Sequence, residues 1–164
     1  DGAIGGYGTA TWNGYRVPPE DRAHLAMAEL VGLAREVAGE AHHFRVVQLP
    51  YNLAMPEAFT RATQRVGTET VSLLEAARRL GLYIMASASV YQGQLTRNLP
   101  PLIAEFLPGL GTDAQRALQY VRSTPGIGTA LVGMKSVAHV DENAGVARQT
   151  PLAWTEFQRL FREA

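Results

Sequence analysis

The sequence contains no cysteine among its 164 residues. This absence excludes disulfide bonds, thiolate metal sites and a cysteine nucleophile, although it indicates little about the cellular compartment. Charge is also scarce, because charged residues make up 18% of the chain and 15 basic residues balance 15 acidic ones. A neutral chain without basic runs has no electrostatic attraction to nucleic acid or to an anionic membrane, so we expect neither as a partner.

Long uninterrupted apolar runs are missing as well, since glycine, arginine or glutamine interrupts every candidate. We therefore expect no membrane-spanning helix. No charged-then-apolar leader follows Asp1, so we expect no retained signal peptide, and we expect a cytoplasmic protein. His42 and His43 lack carboxylates at ligand spacing, and we expect no metal site.

Apolar residues make up 46% of the chain, which is enough for a hydrophobic core, and we expect a single domain over residues 1–164. Short apolar segments alternate with segments of helical periodicity. The predicted strands are residues 3–11, 44–49, 82–87 and 128–132. The predicted helices are 24–37, with a start signal at 18–21, then 69–80, 112–122, 136–148 and 152–161. Residues 50–67 and 88–111 are expected to be loops, the second with a short apolar piece at 101–107.

This alternation predicts parallel βα units. A flavodoxin-like sheet and a piece of a (β/α)8 barrel both fit, and the pattern alone does not choose between them. In both folds ligands bind at the carboxyl ends of the strands. Those ends carry small polar residues, the amides of Gln48 and Asn52 and one lysine, at residues 9–12, 48–52, 87–89 and 133–136. No Ser-His-Asp order, Gly-x-Ser-x-Gly motif or phosphate loop is present.

Four sequence blocks resemble, in order, the fifth to eighth βα units of the aldo/keto reductases. YGTATW at residues 7–12 is similar to the end of the fifth strand, QLPYN at 48–52 to the sixth, and SASVYQGQL at 87–95 to the seventh. STPGIGTALVGM at 123–134, followed by HVDEN at 139–143, resembles the last unit. The resemblance implies an α/β fold that is half of a (β/α)8 TIM barrel, with four parallel βα units and a C-terminal helix.

The resemblance also implies positions at the nicotinamide end of an NADP(H) site. Gln48 occupies the position that hydrogen-bonds the carboxamide, although it could instead satisfy backbone groups at its strand end. Thr11 and Ala10 occupy the positions of a Ser-Asn pair that usually helps to bind the carboxamide. Thr11 keeps a hydroxyl that could do so, whereas Ala10 has no polar side chain. Ser87 takes the position beneath the ring, where the family commonly has a stacking aromatic residue, and serine cannot stack.

The segment from Gly133 to Asn143 matches the region that binds the adenosine 2′-phosphate and the adenine. A helix N-terminus suits an anion. Lys135 and His139 would add positive charge, while Glu142 and Asn143 match the pair that contacts adenine. The alternative for Lys135 is a solvated loop charge. The implied cofactor is NADP(H), bound weakly or at a vestigial site.

The family's catalytic Asp, Tyr, Lys and His come from the first four strands, and this chain matches only the later ones. Tyr51 and Lys135 have suitable chemistry but occupy other positions, so we assign no catalytic residue. We expect a half-barrel that is inactive by itself. The alternatives are a structural or interaction module without cofactor and one part of a complete NADPH-dependent carbonyl reductase.

Four parallel strands cannot close into a barrel, and their two edge strands keep unpaired N–H and C=O groups. Two copies related by a two-fold axis would pair the last strand of each with the first strand of the other, so we expect a homodimer. Trp12 and Tyr51 are expected to pack around the barrel mouth. The stripe of Trp154, Phe157 and Phe161 is expected to be core or interface.

Overall fold

A computed structural model describes residues 3–162. The elements in chain order are β1 (Tyr7–Ala10), α1 (Met27–Ala38), β2 (Phe44–Pro50), α2 (Glu57–Thr60), β3 (Ala62–Val66), β4 (Glu69–Ser72), α3 (Leu73–Leu80), β5 (Tyr83–Ser87), α4 (Pro101–Phe106), α5 (Asp113–Ser123), β6 (Ile127–Ala130), α6 (Val137–Ala144) and α7 (Trp154–Phe157). Short 3₁₀ helices cover Gly39–Ala41, Tyr91–Thr96, Gly145–Arg148 and Gln158–Phe161. None of the helices within 3–162 is both long and apolar enough to cross a membrane.

The central sheet consists of parallel strands in the order β1-β2-β5-β6, which confirms the predicted parallel βα units. Ala10 pairs with Gln48, and Gln48 pairs in turn with Met85. Met85 pairs with Thr129 on β6, after a register shift. The carboxyl ends of the strands therefore meet at one edge of the sheet.

The two faces of this sheet differ in burial. The side chains that face the helices are buried on the two central strands: Val47, Leu49, Ile84 and Ala86. On the opposite face Tyr83 is 47% exposed and Met85 is partly exposed. A sheet covered by helices on one side and open on the other is the arrangement expected of half a barrel.

The first strand and the first helix are shorter than predicted. β1 spans only Tyr7–Ala10, and the predicted helix start at residues 18–21 is a turn. The side chain of Asp21 accepts a hydrogen bond from the backbone N–H of Ala23 (2.8 Å), which favours a turn over a helix. α1 begins at Met27 instead.

An antiparallel hairpin of β3 and β4 replaces part of the predicted loop at 50–67 and the first residues of the predicted helix at 69–80. Its turn contains Gly67 in a left-handed conformation (φ 62°). Buried Gln64 on β3 accepts a hydrogen bond from the N–H of Met27 (2.8 Å) and donates one to the carbonyl of Leu25 (3.2 Å). The hairpin thus supplies the N-terminal cap that α1 lacks locally.

The remaining predicted elements are present with changed bounds. Thr112 and Ser136 cap α5 and α6, each accepting a backbone hydrogen bond at 3.3 Å, where Asp113 and Lys135 were the alternative first residues. The predicted helices 136–148 and 152–161 each end in a 3₁₀ segment, and the predicted loop at 88–111 contains one 3₁₀ helix and α4. Of the terminal stripe, Phe157 is fully buried, whereas Trp154 and Phe161 are 49% and 39% exposed.

A buried aromatic pair joins the loop after β2 to α5. The rings of Tyr51 and Tyr120 stack with centroids 5.6 Å apart, and their hydroxyl oxygens are 2.9 Å apart. The hydroxyl oxygen of Thr124 lies 3.1 Å from that of Tyr51, and Phe157 stacks on Tyr120 at 5.7 Å. Burial raises the pKa of Tyr51 to about 12, and it raises the pKa of Tyr120 as well.

We expect Tyr51 to make stability fall at high pH. Its pKa in the folded state lies above the usual tyrosine value of 10.0, so the stability present near neutral pH is lost as the pH rises from about 10 through about 12. One buried group with this shift contributes on the order of 2 kcal/mol. Tyr51→Phe should lower the unfolding free energy at neutral pH by about 1 kcal/mol and make its alkaline decline shallower.

Urea unfolding of the wild type and of Tyr51→Phe across this pH range measures the effect. Tyr7→Phe is the control, because Tyr7 is 49% exposed. An alkaline decline in Tyr51→Phe as steep as that of the wild type would contradict the assignment.

Candidate functional site

Two adjoining hollows lie at the edge where the carboxyl ends of the strands meet. The strand-end hollow has a volume of about 380 Å³ and is lined by Ala10, Thr11, Trp12, Gln48, Ser87, Ala88 and Gln92. The helix hollow has a volume of about 800 Å³ and lies between the loop after β5 and the start of α6. Ala88 and Gln92 line both hollows, so an elongated ligand could extend from one into the other.

The strand-end hollow contains the three residues predicted for the nicotinamide end: Thr11, Gln48 and Ser87. The backbone N–H of Thr11 donates to the carbonyl of Gln48 (3.1 Å), which holds the ends of β1 and β2 together. Among the described residues, neither the Gln48 amide nor the Ser87 hydroxyl has a hydrogen-bond partner. The alternative in which Gln48 satisfies backbone groups therefore has no support, and both groups are available to a ligand.

Tyr51 and Trp12 differ in how much of their side chains is buried. Tyr51 is fully buried, as expected of a packing residue. Trp12 is 50% exposed and lines the strand-end hollow, so its indole is not buried as the ring of Tyr51 is. Its neighbours in that hollow are all non-ionisable, and none of them can deliver a proton near neutral pH.

The helix hollow contains the five residues predicted for the adenosine end: Gly133, Lys135, His139, Glu142 and Asn143. Ser136 begins α6 by accepting a hydrogen bond from the N–H of His139 (3.3 Å). The exposed ammonium of Lys135 forms neither an ion pair nor a hydrogen bond within residues 3–162. A free cation beside a helix N-terminus favours a bound anion.

The far wall of the helix hollow is fixed by α5. Gln115 donates to the carbonyl of Glu142 (2.8 Å) and accepts from the N–H of Gly111 (2.9 Å), which ties α6 to the loop before α5. Oδ1 of Asn143 is buried and has no hydrogen-bond partner in the described part of the chain. A Cβ added at Gly133 would meet no atom within 4 Å, so this backbone borders open space.

The loop after β5 contributes residues that were not predicted as site residues. Ala88 and Gln92 adopt left-handed backbone conformations, with φ of 53° and 56°. Such values are uncommon for residues other than glycine, and they cluster at functional sites. No sequence signal marks them, because neither residue type favours this conformation. They set the path of the loop where the two hollows meet.

Ala88→Gly should remove backbone strain at this junction. Glycine adopts a positive φ without a steric penalty, and we expect a gain in unfolding free energy of about 0.5–1 kcal/mol. Ala28→Gly, in α1, should instead lose up to about 1 kcal/mol because glycine disfavours helix. Thermal and urea unfolding of both variants measures the difference in unfolding free energy. A lower unfolding free energy in Ala88→Gly than in the wild type would contradict the inference that the backbone of Ala88 is strained.

Comparison with known proteins identifies the fold but no close relative. No protein-family model matches this sequence, and no curated protein matches it. An aldo-keto reductase from Bacillus halodurans in its holo form superposes with a TM-score of 0.59 at 17% identity, over 97% of this chain and 50% of its own. An aldo-keto reductase from Klebsiella pneumoniae in complex with NADPH superposes with a TM-score of 0.60 at 25% identity, over 85% of this chain and 45% of its own.

The chain therefore spans about half the length of the solved structures it matches. Together with the parallel sheet, these matches confirm the resemblance at the level of the fold. The chain has the architecture of half an aldo-keto reductase barrel.

Proposed function

We propose that this half-barrel binds NADP(H) across its two hollows and forms the cofactor-holding part of a carbonyl-reducing enzyme, without being active by itself. The observation that supports the proposal is that all eight residues assigned from the resemblance line the two adjoining hollows. They come from four separate segments of the chain, and the fold brings them to one edge of the sheet.

The side chains fit the two ends of this cofactor. The unpartnered amide of Gln48 and the hydroxyl of Ser87 would hydrogen-bond the nicotinamide carboxamide. Lys135 and the N-terminal N–H groups of α6 would hold the 2′-phosphate, because an anion is stabilised by both. Asn143, whose Oδ1 lacks a partner, would contact the adenine after a small rotation.

Bound NADPH would supply a hydride, and this chain's residues would bind and orient the cofactor. Carbonyl reduction also needs a proton, and the residues around the strand-end hollow provide no donor. The solved structures with this fold have chains about twice as long. We therefore propose that reduction requires further βα units that contribute the proton donor.

Gly133→Leu should block the helix hollow without disturbing the fold. No atom lies within 4 Å of a Cβ at Gly133, so the new side chain would occupy space meant for the cofactor. We expect NADPH affinity to fall at least about tenfold, which corresponds to about 1.4 kcal/mol.

Isothermal titration with NADPH measures this loss. Gly32→Leu is the matched control, because a Cβ at Gly32 also meets nothing within 4 Å and Gly32 lies on α1, outside both hollows. Equal affinity in Gly133→Leu and the wild type would contradict cofactor binding in the helix hollow.

For the chain without those further units, we propose that a second copy closes the barrel and forms a homodimer that binds the cofactor but does not reduce a carbonyl. In the described sheet β1 pairs only with β2 and β6 only with β5, which leaves two edges open. Large apolar side chains are exposed on the edge strands and on the segments that follow them. Tyr7 on β1 is 49% exposed, and on α1, the helix that follows β1, Leu33 is 56% and Val37 is 88% exposed. After β6, the exposed fractions are 43% for Met134, 76% for Val137 and 44% for Val140.

An apolar hollow of about 220 Å³ also lies beside the edge strand β6, between α5, β6 and α6. Its lining includes Leu118, Val132 and Val140. Two-fold pairing of β6 with the partner's β1 would bring the partner's α1, with its exposed apolar side chains, towards this hollow. A second copy would thus provide hydrogen-bonding partners for both edge strands, β1 and β6.

Light scattering should give a mass twice that of one chain for the wild type. Val37→Glu should lower the dimer fraction at equal concentration, because it places a charge in the apolar contact without touching the core. Leu102→Glu on α4, at a residue that is 38% exposed, is the control. A monomeric wild type would contradict the homodimer and favour a separate set of βα units as the partner.

A further inference from the structure

We propose that Trp12 provides the aromatic surface against which the nicotinamide ring of NADP(H) packs, and that it replaces the stacking residue whose position Ser87 occupies. This inference rests on the proposed function and assigns the ring-binding residue of the same site. Trp12 matches none of the positions that the resemblance assigns to the cofactor.

The location of Trp12 is the first support. It follows the end of β1 and lines the same hollow as Gln48 and Ser87. Serine is too small to cover a planar ring, so the hollow needs an aromatic wall from another element. Trp12 is the aromatic residue among those lining it.

The indole of Trp12 also has no evident packing role. It is 50% exposed, and it makes no ring-to-ring contact with another aromatic residue within the described range. The other tryptophan, Trp154, differs, because its ring lies 6.1 Å from that of Phe59 and 6.2 Å from that of Phe157. A large apolar surface left open beside a ligand-sized hollow is suited to a planar ligand.

The backbone of Trp12 is held in place before any ligand binds. Arg16 donates to the carbonyl of Trp12 (3.4 Å) and forms an ion pair with Glu57 (3.1 Å), in which both side chains are largely buried. The backbone N–H of the preceding Thr11 donates a hydrogen bond to the carbonyl of Gln48 on β2 (3.1 Å). Binding would therefore need only a rotation of the indole, which lowers the entropic cost.

An indole wall has a consequence for the redox state of the cofactor. The nicotinamide ring carries a positive charge in NADP⁺ and none in NADPH, and a cation over an indole face is attracted by its π electrons. Trp12 should therefore favour the oxidised form by a few fold relative to a side chain without a ring. A residue with only a structural role would not change this ratio.

The test compares Trp12→Ala and Trp12→Phe with the wild type by isothermal titration. The ligands are NADP⁺, NADPH and adenosine 2′,5′-bisphosphate, which lacks the nicotinamide. We expect Trp12→Ala to bind NADP⁺ about tenfold more weakly and to lose its preference for the oxidised form, and Trp12→Phe to stay within about threefold of the wild type. Affinity for the bisphosphate should be unchanged in both variants.

Fluorescence provides a second readout, because the chain has two tryptophans. NADP⁺ should quench the Trp154→Phe variant, in which Trp12 is the remaining tryptophan. It should leave the Trp12→Phe variant, which retains Trp154, nearly unchanged. Quenching that is equal in the two variants would contradict a contact with Trp12.

The outcomes separate this inference from the function on which it rests. If the wild type binds neither dinucleotide nor the bisphosphate, the proposed function fails and the role of Trp12 fails with it. If the wild type binds NADP⁺ and Trp12→Ala binds it equally well, the role of Trp12 is overturned while the proposed function stands. A loss of bisphosphate affinity in Trp12→Ala would indicate a structural role and would also overturn it.

Discussion

The parallel register of the central strands is the constraint on which the rest of the described structure depends. Ala10, Gln48 and Met85 lie at one level of the sheet, so the segments that follow these strands emerge at the same edge. The strand-end hollow forms directly above these ends. The helix hollow forms beside it, because β6 pairs with β5 and brings the start of α6 next to the loop after β5. Residues distant in sequence thereby become neighbours in one cleft.

The same register divides the sheet into a packed face and an open face. The helices bury one face, and the stacked rings of Tyr51, Tyr120 and Phe157 anchor the C-terminal segment to this core. On the other face Tyr83 is nearly half exposed, and each edge strand of the described sheet pairs with a neighbouring strand on one side only. Half a barrel can thus have a core of its own and still offer surfaces that a second set of strands would cover.

Local signals in the sequence predicted the features that depend on neighbouring residues. Thr112 and Ser136 cap the helices predicted to begin at about these residues, because an N-cap needs only the next three residues. The cap of α1 could not be predicted, since Gln64 lies on a hairpin 37 residues after Met27. The left-handed conformation of Ala88 is imposed by the tertiary structure, and alanine gives no indication of it. The residues proposed to bind the cofactor came from the resemblance to a family, and no spacing rule alone would have identified them.

Nuclear magnetic resonance titration of the chain with NADP⁺ tests most directly whether the two hollows form one dinucleotide site. We expect chemical-shift changes at both ends together: the side-chain amide of Gln48 and the indole N–H of Trp12 at one end, and the backbone N–H of Gly133 at the other. Adenosine 2′,5′-bisphosphate should shift only the signals at the Gly133 end. Spectra that stay unchanged in excess NADP⁺, or changes confined to residues outside both hollows, would contradict a dinucleotide site formed by the two hollows.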